Sequence, residues 1–163
     1  MVKVAIIMGS KSDFESVLPA KKVLDRFGIE NAMLVMSAHR TIDEVNCFAK
    51  QANDNGYKII IAAAGKAAHL AGVIAASTVL PVIGIPIKSS TLDGLDSLLS
   101  TVQMPNGIPV ATVAIGGSEN AALLAIEMLA ISDNSLTEKL KEYRQEMKAK
   151  IELDNESIQQ MLL

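Results

Sequence analysis

Ile59-Ile60-Ile61-Ala62-Ala63-Ala64-Gly65-Lys66-Ala67-Ala68-His69-Leu70 decides the fold. Its first six residues are continuously apolar rather than alternating, which implies burial on both faces, as in a parallel strand covered by helices on either side. Gly65-Lys66 then breaks the run, and small residues with helical spacing follow. The stretch therefore reads as a buried strand passing through a short loop into a helix, the unit from which α/β folds are built.

The same unit recurs on both sides of it. Short apolar runs bounded by turn residues predict strands at about 3–8, 32–36, 58–63, 81–85 and 110–114. Helical spacing predicts helices at about 14–27, 41–55, 67–78, 92–102 and 119–131. Asp13 is the expected cap of the first helix, Thr41 with Glu44 the expected capping box of the second, and Gly28 and Gly56 follow their helices. Right-handed crossovers then give a three-layer α/β/α sandwich with a flavodoxin-like parallel sheet.

From Ser132 the character changes. Residues 135–151 read as a charged amphipathic helix with Leu136, Leu140, Tyr143 and Met147 on one face, and 152–163 as a further short helix. The expected organisation is one α/β domain over 1–131 with 132–163 as its C-terminal helical extension. That extension either packs on its own subunit or reaches a neighbour.

Composition narrows the function classes. The 163 residues are 50% hydrophobic but only 3% aromatic with no Trp, so the core rests on Ala, Val, Ile, Leu and Met rather than on aromatic platforms. A net charge of −3 leaves no electrostatic footprint for nucleic acid or for an anionic membrane. No apolar run spans a bilayer, and Met1-Val2-Lys3 lacks a secretory pattern. The single Cys47 excludes an internal disulfide and a Cys-based zinc site, reads as a packed small side chain, and fits a reducing, cytoplasmic setting.

The chemistry falls in the loops after the strands, where open α/β sheets bind ligands. Strand 1 runs into Met8-Gly9-Ser10-Lys11-Ser12-Asp13, whose glycine and hydroxyls at a helix start suit a phosphate or ribose. It matches neither the Walker pattern nor the dinucleotide fingerprint. In Ser37-Ala38-His39-Arg40-Thr41 a titratable imidazole stands beside a permanent cation that can fork onto a phosphate or carboxylate. Gly65-Lys66-Ala67-Ala68-His69-Leu70 lets backbone approach a ligand and carries the only other histidine. Pro86-Ile87-Lys88-Ser89-Ser90 is a fourth contributor, with Asp93 and Asp96 beyond it as caps or loop ties. Two histidines in separate loops lack the local ligands of a zinc site.

These motifs, together with Leu98-Leu99-Ser100-Thr101-Val102-Gln103-Met104-Pro105 and Asn120-Ala121-Ala122-Leu123-Leu124-Ala125, resemble the class I 5-(carboxyamino)imidazole ribonucleotide mutases of bacterial purine synthesis, over about residues 3–131. The resemblance implies transfer of a carboxylate from an exocyclic nitrogen to ring C4 of an imidazole ribonucleotide, with no redox change, ATP, metal or other cofactor. It implies His39 as general acid/base, Ser10, Asp13, Ser37 and Arg40 at the nucleotide, and Gly65, His69 and Leu70 around the exchanging carboxylate. It also implies a homo-octamer with sites between subunits.

The chain departs from that pattern at Lys66, where class I proteins usually have a second glycine, at Ile42 and Ala71 in place of prolines, and in a shortened segment before Asn120. Class II relatives, which carboxylate directly with CO2, tend to have a basic residue near Lys66, a lysine in place of Arg40 and no counterpart of His69. Lys66 is expected as a helix-start residue, or else as an ammonium facing the pocket. The alternatives to a mutase are a direct carboxylase and a non-catalytic nucleotide-binding domain, which would have no need of His39.

Overall fold

A computed structural model of the chain describes residues 3–90 and 92–162. Met1-Val2, part of the segment read for a secretory pattern, and Leu163, at the end of the last expected helix, lie outside the described residues. Five parallel strands form one sheet in the order β2-β1-β3-β4-β5, the flavodoxin-like order. They are β1 (Lys3–Met8), β2 (Glu30–Val35), β3 (Tyr57–Gly65), β4 (Val82–Ile87) and β5 (Ala111–Thr112). Between and after them come α1 (Phe14–Phe27), α2 (Ile42–Gln51), α3 (Leu70–Ser77), α4 (Leu95–Val102), α5 (Ser118–Ala130) and α6 (Asn134–Met161).

Burial follows strand position. Val4 to Met8 of β1, Ile59 to Ala63 of β3 and all of β4 are buried, as continuous apolar runs require. The two edges differ from expectation. β2 starts at Glu30 rather than 32 and is only half-buried, and β5 shrinks to two half-buried residues. An edge strand has one hydrogen-bonded neighbour, so it tolerates Glu30 and Asn31 and need not be apolar on both faces.

Several local expectations are corrected. The capping box does not form: Thr41 precedes α2, but its side chain makes no cap and instead binds the backbone of Ser37. Asp13 sits at the N-cap of α1 without a side-chain cap bond, while Ser10 caps a preceding 3-10 turn, Lys11–Asp13. α2 stops at Gln51 because Asn53-Asp54-Asn55-Gly56 favours turns. Cys47 is exposed rather than packed, since Val45 and Ala49 define the inward face of α2 and Cys47 lies between them in sequence, on the opposite side. α3 begins only at Leu70, so Lys66 lies in a loop and is not a helix-start residue. α6 continues unbroken through the segment expected as a separate helix, with no Gly or Pro to interrupt it.

α4 is turned inside out. Its buried positions are Ser97 and Thr101, with Ser97 Oγ donating to the Ile87 carbonyl at 2.8 Å and Thr101 Oγ1 to the Ser97 carbonyl at 2.7 Å. Gly84 of β4 allows this approach: a Cβ there would stand 2.5 Å from Thr101 Cγ2 and 3.0 Å from Val110 Cγ1.

The chain divides into two compact units, Met1–Ala125 and Ile126–Leu163. The sheet belongs to the first. In the second, the Asp133 side chain accepts from the Ser135 N–H at 2.9 Å and caps α6, and Arg144 pairs with Glu127 at 2.7 Å. No described helix is long and apolar enough to cross a membrane.

Candidate active site

A cavity of about 650 Å³ opens at the carboxyl ends of β1 to β4. Because β1 lies between β2 and β3 in the sheet, successive crossovers leave in opposite directions there and the loops part, which creates a crevice.

The loop after β1 forms one wall. Gly9 N–H donates to the Ala63 carbonyl at 3.0 Å, holding the loop against the end of β3. Ser10 Oγ accepts from Ser12 N–H at 3.3 Å and lies 2.9 Å from Ser12 Oγ. Burial pushes the Asp13 carboxyl above the usual carboxylate range, opposed by hydrogen bonds from Ser12 and Ser10 and by the charge of Arg40.

The loop after β2 is closed on itself and strapped to the first. Ser37 N–H donates to Thr41 Oγ1 at 2.9 Å, and Thr41 N–H returns to the Ser37 carbonyl at 2.9 Å. Arg40 donates from Nη2 to the Gly9 carbonyl at 2.9 Å and from Nε to Ser37 Oγ at 3.3 Å. The guanidinium plane is thereby fixed at the cavity wall.

The loop after β3 supplies the second imidazole. His39 Nε2 and His69 Nδ1 are 2.8 Å apart, with ring planes at 80°. One nitrogen must donate and the other accept, so a single hydrogen lies between them. Ser100 of α4 pins this loop from behind: its Oγ accepts from Ala68 N–H at 3.0 Å and approaches the Lys66 carbonyl at 3.4 Å. Leu70, 2% exposed, adds an apolar patch to the wall.

The loop after β4 contributes Lys88, Ser89 and Ser90. Lys88 pairs with Asp93 at 2.8 Å and Ser89 Oγ donates to Asp96 at 3.0 Å, so both acids tie the loop.

All the residues selected from sequence line this one cavity: Ser10, Asp13, Ser37, His39, Arg40, Gly65, Lys66, His69 and Leu70. Ser100 was missed, as was the Gly9 carbonyl that anchors Arg40. The first lies on a helix 34 residues beyond Lys66, and only the folded chain brings it there. Among the described residues no three His, Cys, Asp or Glu side chains gather as metal ligands would.

Comparison with known proteins identifies the family and the fold. The family profile described as AIR carboxylase matches residues 3–150. The N5-carboxyaminoimidazole ribonucleotide mutase of Pyrococcus abyssi is 57% identical over 148 residues, covering 91% of this chain and 85% of that protein. The protein of the same name in Escherichia coli K12 is 51% identical over 144 residues, covering 87% and 85%. The crystal structure of Treponema denticola PurE superimposes with a TM-score of 0.86 at 30% identity, covering 96% of this chain and 98% of that one.

Proposed function

The chain belongs to the AIR carboxylase family, and from that premise we propose that it is an isomerase of purine biosynthesis, an N5-carboxyaminoimidazole ribonucleotide mutase. The observation that carries this reading is the His39–His69 pair, 2.8 Å apart, in the same cavity as the strapped Arg40. An acid–base group and a fixed cation are what moving a carboxylate on an anionic nucleotide requires.

The reaction balances without an outside reagent. The N–C bond of the carbamate breaks to release CO2, and the amine gains a proton. C4 of the electron-rich ring attacks the CO2, and the C4 proton leaves. His39 serves both transfers, accepting the proton from C4 and supplying one to the nitrogen. His69 holds the His39 ring through their shared hydrogen. Arg40, Ser37, Ser10 and Asp13 bind the nucleotide, with Arg40 on phosphate and Asp13 on ribose hydroxyls. Gly65 and Leu70 bound the place where CO2 is held, where small and apolar walls leave room for it and exclude water. A cavity of about 650 Å³ is within the usual range for one small ligand.

The test is to offer purified protein either the N-carboxylated ribonucleotide or the uncarboxylated one with CO2. A mutase forms the C4-carboxylated product faster from the first. Faster product from the second would make the protein a direct carboxylase instead.

Assembly as a homo-octamer in the cytoplasm completes the reading. Its support is the outward apolar face of α4, where Leu95 and Leu99 are each 48% and Val102 45% exposed. The second unit separately exposes Met147, Ile151, Ile158 and Met161 along α6, spaced as one helical stripe. Sedimentation as a monomer at micromolar concentration would refute the assembly.

A further inference from the structure

We propose that Lys66 binds the migrating carboxylate and sets the site's preference for carboxylated ribonucleotides, an inference that rests on the mutase reading above. Lys66 has φ of 57°, in the left-handed region. A side chain at such φ meets its own backbone, so glycine is the residue this position favours. Strain of this kind clusters at active sites and ligand clamps. Here a lysine stands on the wall of the cavity, in the loop that also delivers His69.

Charge supplies the second argument. The other two cations of the cavity wall are engaged: Arg40 on the Gly9 carbonyl and Ser37 Oγ, Lys88 on Asp93. No described carboxylate pairs with Lys66, which is exposed. The described carboxylate of the wall, Asp13, belongs to the β1 loop and feels Arg40. The cavity therefore has an uncompensated lysine in its β3 loop, which also carries His69, and a tethered guanidinium on its β1–β2 side.

The substrate class carries two anionic groups, a phosphate and the carboxylate that moves. Arg40, a fixed charge tethered to Gly9 and Ser37, suits the phosphate, which does not move in the reaction. Lys66 suits the other group, because a point charge on a flexible stem can follow a carboxylate from nitrogen to carbon while a planar fork cannot. The loop itself stays put, since Ser100 holds Ala68 N–H and the Lys66 carbonyl; only the side chain need move.

The test is calorimetric titration of the full chain with the C4-carboxylated ribonucleotide and with the uncarboxylated one. Lys66→Met should weaken binding of the first by about tenfold, the loss of one charge-assisted hydrogen bond, and change the second by less than about twofold. Lys66→Arg should retain most of the affinity. Lys66→Gly, which relieves the backbone, should show the same selective loss while unfolding at a temperature no lower than the parent, separating the effect from folding. Equal weakening of both ligands, or of neither, would overturn the role of Lys66. Failure of the parent protein to bind either ribonucleotide would overturn the mutase reading itself, and the role of Lys66 with it.

Discussion

The Nε2 of His39 lies 2.8 Å from the Nδ1 of His69, although the two residues are delivered by different strands. The loop after β2 positions one and the loop after β3 the other, and the ring of His39 is oriented only because both loops are independently fixed. Thr41 closes the first and Ser100 pins the second.

The pairing gives a graded expectation for His69. His69→Asn keeps a hydrogen-bonding group at the position and should retain most of kcat. His69→Phe keeps the ring but loses the bond, and should lower kcat by about tenfold, the worth of one such bond. Measuring kcat and KM separately checks this, since a group that only lined the pocket would move KM alone. Equal activity of the two variants would mean that the His39–His69 bond has no part in turnover.

Arg40→Lys looks conservative but removes the fork that joins Gly9 and Ser37. KM for the nucleotide should rise by about tenfold with a smaller effect on kcat. Unchanged steady-state constants would show that the strap is dispensable.

Asp13 links the site to stability. Burial raises its pKa above the ordinary aspartate value of 3.8, so the folded state binds protons more tightly than the unfolded state there. Stability contributed by this group is greatest below pH 3.8 and declines as pH rises through the folded value. At neutral pH the half-buried carboxylate is therefore a burden on the fold. Asp13→Asn should raise the unfolding temperature at pH 7, with the gain fading towards pH 4, while nucleotide binding weakens. Thermal melts across that interval check the sign, and a lower melting temperature at pH 7 would contradict it.

Gly84→Ala places a methyl group against Thr101 Cγ2 and Val110 Cγ1 and should destabilise the protein by about 1–3 kcal/mol. Thr101→Ser removes that Cγ2 and retains the hydroxyl bonded to Ser97. The double variant should therefore be more stable than the sum of the single changes, as a denaturation double-mutant cycle would show.

What could be read from the sequence follows from where the information sits. β1, β3 and β4 were legible because burial on both faces leaves an unbroken apolar run. β2 was displaced because an edge strand can begin on Glu30 and Asn31. The two histidines and Arg40 were legible because each falls at the end of a strand and carries chemistry. Thr41 was misread because its hydroxyl can bond its own helix or the loop before it, and Ser37 takes it. Ser100 stood in a quoted motif without a role of its own, because the loop groups that it meets, the Ala68 N–H and the Lys66 carbonyl, lie more than 30 residues away. Lys66 showed its charge but not its backbone: the positive φ that makes a lysine there informative appears only in three dimensions. The apolar spacing of α4 announced a helix without revealing that Leu95, Leu99 and Val102 face outward.

The central claim is that His39 moves the proton. Turnover of the N-carboxylated ribonucleotide by His39→Asn, measured beside its affinity for the C4-carboxylated product, tests it most directly. Turnover should fall by about two to four orders of magnitude, the span of general acid–base catalysis, while affinity changes by less than about tenfold. Near-native turnover in His39→Asn would remove His39 from the chemistry and contradict the account.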